Sequence, residues 1–377
     1  MIRLSHPDFS QRDLERLAEV LQSGMLIQGK MVAATEALAS DFLGAEVVAC
    51  SSGTAAVHLA LMALDLRPGD EVILPTFTWP SVANCVVREG AIPVFVDMDP
   101  ATLSPGVAEV EAALSPATRA VIAVHLFGLA APAVEMAEML ARRAPGVRLI
   151  EDAACAIGTR LRGGEMAGTV GWVGCVSLHP RKIVTTGEGG LLVTRDAALA
   201  ARLRRLRNHG MEPGEEGMTF LDAGLNYRLS ELGGALGIGQ MERLGAIIAA
   251  RRRLGEAYLD ALTSEPLVEV PAGWRDPGAV FQAFVVWWRG SMPRPRLIAR
   301  MRELGVETTM GTYSCASQPY FRERFGSSPA DYPVATAGAA SLLSLPLHPK
   351  MAESEVQTVV TALRQVEREW REGIHGA

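Results

Sequence analysis

Between about Val47 and Thr194 the chain alternates short apolar runs with longer segments whose apolar residues recur at helical spacing. The runs short and apolar enough to be buried strands are Val47 to Cys50, Glu71 to Leu74, Pro93 to Val96, Ala120 to Val124, Val147 to Ile150, Cys175 to Leu178 and Gly190 to Thr194. Such runs, separated by helical crossovers, predict an α/β fold: a mostly parallel central sheet with helices on both faces. Leu229 to Leu262 reads as one long helix, although its several glycines count against it. Beyond about Ser264, a strand from Val280 to Arg289, a helix near Arg296 to Leu304, a strand near Val306 to Thr309 and a terminal helix from Ala352 predict a smaller α+β unit. The expected division is a large domain with an N-terminal arm over residues 1–245 and a small C-terminal domain over 246–377.

With 377 residues, 49% of them hydrophobic, the chain can bury a sizeable core. A formal charge of -6 gives no general attraction to nucleic acid or to an anionic membrane. The opening Met1-Ile2-Arg3-Leu4-Ser5-His6-Pro7-Asp8 lacks the apolar core of a signal peptide, and no apolar run reaches spanning length, so a cytoplasmic protein is expected. Cys50, Cys85, Cys155, Cys175 and Cys315 form no CxxC pair, which argues against a zinc knuckle or a disulfide framework and for a reducing compartment. His179 has no second His or Cys at ligand spacing, so a packed or hydrogen-bonded side chain is expected, and no metal is expected. Arg202, Arg204, Arg205 and Arg207 fall at helical spacing without interleaved aromatics and read as a solvated helix face. Gly187-Glu188-Gly189-Gly190 fits no nucleotide-loop pattern and precedes a strand, so it reads as close backbone approach.

The candidate chemistry gathers at strand ends, where open α/β sheets bind ligands. Val147 to Ile150 runs into Glu151-Asp152-Ala153-Ala154, and Cys175 to Leu178 leads to Lys182 in His179-Pro180-Arg181-Lys182-Ile183-Val184-Thr185-Thr186. A lysine amine can hold pyridoxal 5'-phosphate (PLP) as a Schiff base. An aspartate can keep the pyridine nitrogen protonated, so that the ring accepts electrons from a substrate carbanion. Once freed, Lys182 would move a proton between the substrate carbon and the cofactor. Singly, a lysine is an ordinary surface charge and an Asp an ordinary cap; the pairing is what informs. Cys50-Ser51-Ser52-Gly53-Thr54-Ala55-Ala56 opens an apolar helix, Val57 to Leu64, whose free N–H groups suit a phosphate at about 0.3–1 kcal/mol per dipole contact. Alone it reads as an ordinary helix cap. Trp79, in Pro75-Thr76-Phe77-Thr78-Trp79-Pro80, would sit at another strand end, fit to stack on a flat ring or to pack in the core.

Together these segments resemble the PLP-dependent nucleotide-sugar aminotransferases of the DegT/DnrJ/StrS family, which have the aspartate aminotransferase-like, fold type I architecture. The resemblance covers most of the chain. It runs in order through Ser52-Gly53-Thr54-Ala55-Ala56-Val57-His58-Leu59-Ala60, Gly69-Asp70-Glu71 to Trp79, Pro93-Val94-Phe95-Val96-Asp97, and the Asp152 and Lys182 segments. It continues through Asn226-Tyr227-Arg228-Leu229-Ser230-Glu231 and Leu345-Pro346-Leu347-His348-Pro349. It implies that Lys182 holds PLP and that Asp152 contacts the pyridine nitrogen. By the same resemblance Gly53 and Thr54 bind the phosphate through backbone amides, Ser177 binds it through its hydroxyl, and Trp79 covers the ring. Asn226 matches a residue that reaches the phosphate from the neighbouring subunit, which implies a homodimer with shared active sites. Arg228 is a candidate contact for an anionic substrate group.

Many relatives carry glutamine or histidine where Cys155 stands, touching the cofactor's phenolic oxygen; a thiol is a poorer donor, which puts that contact in doubt. Related sugar dehydratases have histidine in place of the lysine, and Lys182 argues against that branch. The implied reaction moves an amino group from L-glutamate, through PLP and pyridoxamine phosphate, to a keto group of a nucleotide-linked deoxysugar. A cyclitol or aminoglycoside-precursor ketone is the alternative acceptor, since fold and cofactor do not specify the carbonyl. A non-enzymatic regulator on this fold is disfavoured by Lys182, by Asp152 and by the lack of an evident DNA-binding segment. Tyr313 and Tyr320 are candidates to stack a base or cover a sugar, and either equally packs the small domain.

Overall fold

The computed structural model describes residues 1–373. Its strands, in chain order, begin with β1 (Glu46–Cys50), β2 (Glu71–Pro75), β3 (Phe77–Thr78), β4 (Ile92–Val96), β5 (Thr118–Val124), β6 (Arg148–Asp152), β7 (Val173–Ser177) and β8 (Gly190–Thr194). All but β3 form one seven-stranded sheet in the order β1-β8-β7-β6-β5-β2-β4. β2 pairs in parallel with β4 and β5, β5 with β6, and β6 with β7, while β8 runs antiparallel to both β7 and β1. The two reversals cancel, so β1 points the same way as β7 and only β8 is reversed. The carboxyl ends of β1, β2, β5, β6 and β7 therefore meet along one edge. Alternate residues of each strand enter opposite apolar layers, Val48 and Cys50 on one side and Val47 and Ala49 on the other, as a pleated strand covered on both faces requires.

The helices α1 (Gln11–Ser23) and α2 (Lys30–Leu43) pack on the long helix Glu231–Ala261. The glycines that count against this helix in sequence are explained by that packing. A Cβ on Gly237 would lie 2.6 Å from the Thr35 side chain, one on Gly234 would meet the Met31–Val32 backbone, and one on Gly239 would meet Asp13. Close helix approach offsets a cost of about 1 kcal/mol per glycine. Ser230 caps the helix by accepting from the Gly233 amide at 3.1 Å. The buried Glu231 carboxylate accepts from the amides of Gly29, Met31 and Val32 at 2.7, 2.9 and 3.1 Å, at the positive end of α2.

A hairpin of β9 (Met211–Gly214) and β10 (Gly217–Phe220) precedes the long helix. Beyond it, β11 (Val268–Glu269), β12 (Phe284–Trp288), β13 (Thr309–Met310) and β15 (Leu342–Leu345) form a second sheet, while β14 (Tyr313–Ser314) pairs with β3. β12 begins later than the apolar run from Val280 predicts, because Phe281 sits at φ +52°, outside strand geometry. Val306 bridges Ile2 of the N-terminal arm instead of opening a strand. The long helix is continuous across residues 245 and 246, where the division between domains was expected.

The arginine cluster corrects the expectation of a solvated face. Arg202 pairs with Asp65 at 2.6 Å, Arg204 with Glu46 at 2.9 Å and Arg205 with Asp222 at 2.9 Å, while buried Arg207 meets Glu36 at 2.5 Å. The acidic partners of Arg202, Arg204 and Arg207 come from distant segments, which helical spacing cannot reveal. Among the described residues no helix is long and apolar enough to cross a membrane.

Candidate active site

The common strand edge carries the candidate residues, starting with a cradle behind β1. Ser52 is the N-cap of α3 (Gly53–Met62), and its hydroxyl accepts from the Ala55 amide at 3.0 Å, while the Gly53 and Thr54 amides, at the open first turn, have no acceptor among the described residues. A Cβ on Gly53 would lie 2.6 Å from Ser177 Cβ and 2.9 Å from its Oγ, at the end of β7. Only a glycine brings the helix end this close to that hydroxyl. Ser177 Oγ accepts weakly from the His179 amide at 3.4 Å and keeps its own proton to donate. Gly190 admits the Ser52 carbonyl into the space a Cβ would fill, which is the close approach read from the glycine run. Two amides, one hydroxyl and a positive helix end form a receptor for a dianionic phosphate.

Asp152 closes β6, is 6% exposed, and accepts from the Ala154 amide at 3.0 Å through Oδ1. Burial pushes its carboxyl above the usual range, and the Ala154 amide, Lys182 and His125 offset this only in part. Lys182 stands in the turn after β7, half-buried, with its amine 3.0 Å from Cys155 Sγ. Burial disfavours the charged amine, but Cys155 and Asp152 outweigh it and hold the amine above the ordinary lysine value. A buried carboxylate that lacks a full partner suits a protonated ring nitrogen. The residues at this edge therefore fit PLP at both its phosphate and its ring.

Behind Asp152 lies a brace that the sequence reading missed. His125, directly after β5, is fully buried; its Nδ1 accepts from the Ala131 amide at 3.0 Å, so Nε2 carries the proton and donates to Glu151 at 2.9 Å. Glu151 also accepts from Gly168, Val170 and Gly171 amides at 2.9, 2.8 and 2.7 Å. Burial would raise the Glu151 carboxyl, but these donors hold it below the usual range. The signal that could have found His125 is the one that found Asp152, a polar residue at the end of an apolar parallel strand.

Trp79 follows β3 with 60% of its surface exposed, and Tyr313, delivered by the pairing of β14 with β3, meets it edge-on at 5.5 Å between ring centres. Trp79 is thus an open wall and not packed core. Tyr320 instead packs on Phe321 and Phe325 of its own helix. Asn226 is exposed and bonded to neither Gly53, Thr54 nor Ser177 of its own chain, although the next residue, Tyr227, accepts from the Ser51 amide at 2.8 Å through its carbonyl. Arg228 donates to Asn208 Oδ1 at 2.6 Å. His179 accepts from the Arg181 amide at 3.2 Å, and among the described residues no His, Cys, Asp or Glu cluster is arranged to hold a metal ion.

The model of the DegT/DnrJ/EryC1/StrS aminotransferase family matches residues 7–364. The chain belongs to this family. GDP-perosamine synthase of Caulobacter vibrioides is 33% identical over 347 residues, 90% of each chain. The aminotransferase TlmJ of Streptoalloteichus hindustanus superposes with a TM-score of 0.88 at 32% identity, over 97% of this chain and 98% of that one. Escherichia coli GDP-4-keto-6-deoxy-D-mannose-3-dehydratase, at 24% identity, shares the fold with a TM-score of 0.88 over 96% of this chain and all of that one. As a family member the protein is a PLP-dependent aminotransferase of the fold type I class, with a mostly parallel central sheet.

Proposed function

We propose that this aminotransferase moves an amino group from L-glutamate to the keto group of a nucleotide-linked deoxysugar, with a GDP-linked sugar as the first acceptor to test. The similarity to GDP-perosamine synthase over nine-tenths of both chains carries this reading. PLP, when bound, takes up the donor's amino group and returns it to the acceptor. In this reading the Gly53 and Thr54 amides and the Ser177 hydroxyl hold the phosphate, and Asp152 keeps the ring nitrogen protonated. The Glu151–His125 brace fixes the end of β6, and so the aim of Asp152. Lys182 holds the cofactor at rest and carries a proton to and from the substrate carbon during turnover. Trp79 and Tyr313 exclude water from one face of the ring, with Tyr313 offering a surface to the sugar or base. Arg228 and Tyr320 remain candidate substrate contacts once a nucleotide is bound.

The working unit in this reading is a cytoplasmic homodimer. Leu14, Leu21, Met25, Leu26 and Ile27 near α1, and Met218, Phe220, Leu221 and Leu225 around β10, are exposed large apolar residues of the kind a partner covers. Asn226 follows Leu225 directly, and in this reading it would reach the cradle of that second copy. The test is to supply the PLP-loaded protein with L-glutamate and GDP-4-keto-6-deoxy-D-mannose and identify the products by mass spectrometry, with a cyclitol ketone in parallel. An aminated nucleotide sugar, 2-oxoglutarate and parallel initial-rate lines are expected. Amination of the cyclitol alone would move the assignment to the other acceptor class.

A further inference from the structure

Cys155 is the one cysteine of the chain that is not buried; burial pushes the thiols of Cys50, Cys85 and Cys315 up to about 12, whereas Cys155 lies on the turn after β6 with its sulfur 3.0 Å from the Lys182 amine. The groups that bear on that amine are Cys155 and Asp152 from the end of β6 and Arg181 in its own turn. His179 stands in the same turn, and His125 lies behind Asp152. Among the described residues the sulfur is the only hydrogen-bond partner of the Lys182 amine.

We propose that Cys155 is a positioning residue for Lys182: its sulfur, 3.0 Å from the amine, parks it at the end of β6 and governs its release to add to a carbonyl. Release breaks one N–H bond, whose proton passes to buffer, and leaves the nitrogen lone pair free. The same contact is within reach each time turnover frees the lysine, so the sulfur also fixes where the amine waits. Burial alone favours the neutral amine. Taking away the sulfur therefore leaves an amine that deprotonates more readily but is less well placed.

The proposal builds on Lys182 as the cofactor lysine, but its test does not need the cofactor. The chain has three lysines, Lys30, Lys182 and Lys350, so trace acetylation of the cofactor-free protein across a pH series, read by peptide mass spectrometry, gives Lys182 with two internal references. In Cys155→Ala the midpoint for Lys182 is expected to fall. Labelling of Lys182 near neutral pH should then rise, because a lower midpoint leaves more of the amine free. Lys30 and Lys350 should keep their rates, which also reports that the variant is folded. Cys155→Ser, which keeps a polar atom at this position, should lie between the two. The pH profile of PLP capture should shift in the same direction. A Lys182 midpoint that stays or rises in Cys155→Ala overturns the proposal. A fallen midpoint in a protein that captures no PLP supports it and counts only against the cofactor assignment.

Discussion

Gly53→Ala tests the phosphate cradle through a single methyl group. The added Cβ would lie 2.6 Å from Ser177 Cβ, about 1 Å inside ordinary carbon contact. Neither side yields easily, because Ser177 ends the buried central strand β7 and α3 packs on that strand. Overpacking of this kind costs about 1–3 kcal/mol, and the relief is to tilt the first turn of α3 away from the Ser177 hydroxyl. A hydrogen bond to a charged group contributes about 1.5–3 kcal/mol, so losing one of the three phosphate contacts should weaken PLP binding about 10- to 100-fold. Titrating the cofactor-free protein with PLP and with pyridoxal separates the cradle from the ring contacts. PLP affinity should fall while pyridoxal affinity stays near its starting value. An unchanged ratio of the two affinities would refute the assignment of Gly53, Thr54 and Ser177 to the phosphate.

Asp152→Asn should act in opposite directions with and without the cofactor. A carboxyl raised on folding destabilises the native state once pH passes its unfolded value, so near pH 7 the neutral amide should raise the thermal midpoint of the cofactor-free protein. The same change should shrink the stabilisation that added PLP gives, and a scan showing neither effect contradicts the pairing. Glu231→Gln removes a charge shared by three amides of the α2 N-terminus and should cost about 1–3 kcal/mol, read as a lower denaturation midpoint with unchanged PLP affinity. Trp79→Ala should leave stability within about 0.5 kcal/mol, because the ring is exposed, yet weaken PLP about 3- to 10-fold by equilibrium dialysis.

The central sheet was legible because its strands are buried on both faces, and such strands read as unbroken apolar runs whatever their neighbours are. Each of the seven strands expected for this sheet lies within two residues of an observed one. Asp152 and Lys182 were legible for a related reason, since each follows such a run and strand ends collect ligands. The hairpin of β9 and β10 was not, because Met218, Phe220 and their neighbours face outward on a two-stranded ribbon with no buried side to impose alternation. The glycines of the long helix misled in isolation, since their reason lies in α1 and α2, which reach that helix only through the fold. Cys155 was legible as a departure from the family, but its contact with Lys182 depends on where two turns meet and could not be read from either one.

The most direct test of the account is to reduce the PLP-loaded protein with borohydride and map the covalent label by peptide mass spectrometry. With only Lys30, Lys182 and Lys350 in the chain, the assignment of the label is unambiguous. The account predicts the label on Lys182 alone, and its loss when L-glutamate is added before reduction. A label on Lys30 or Lys350, or none on Lys182, would contradict the central claim, and a Lys182 label that persists after glutamate would contradict the proposed donor.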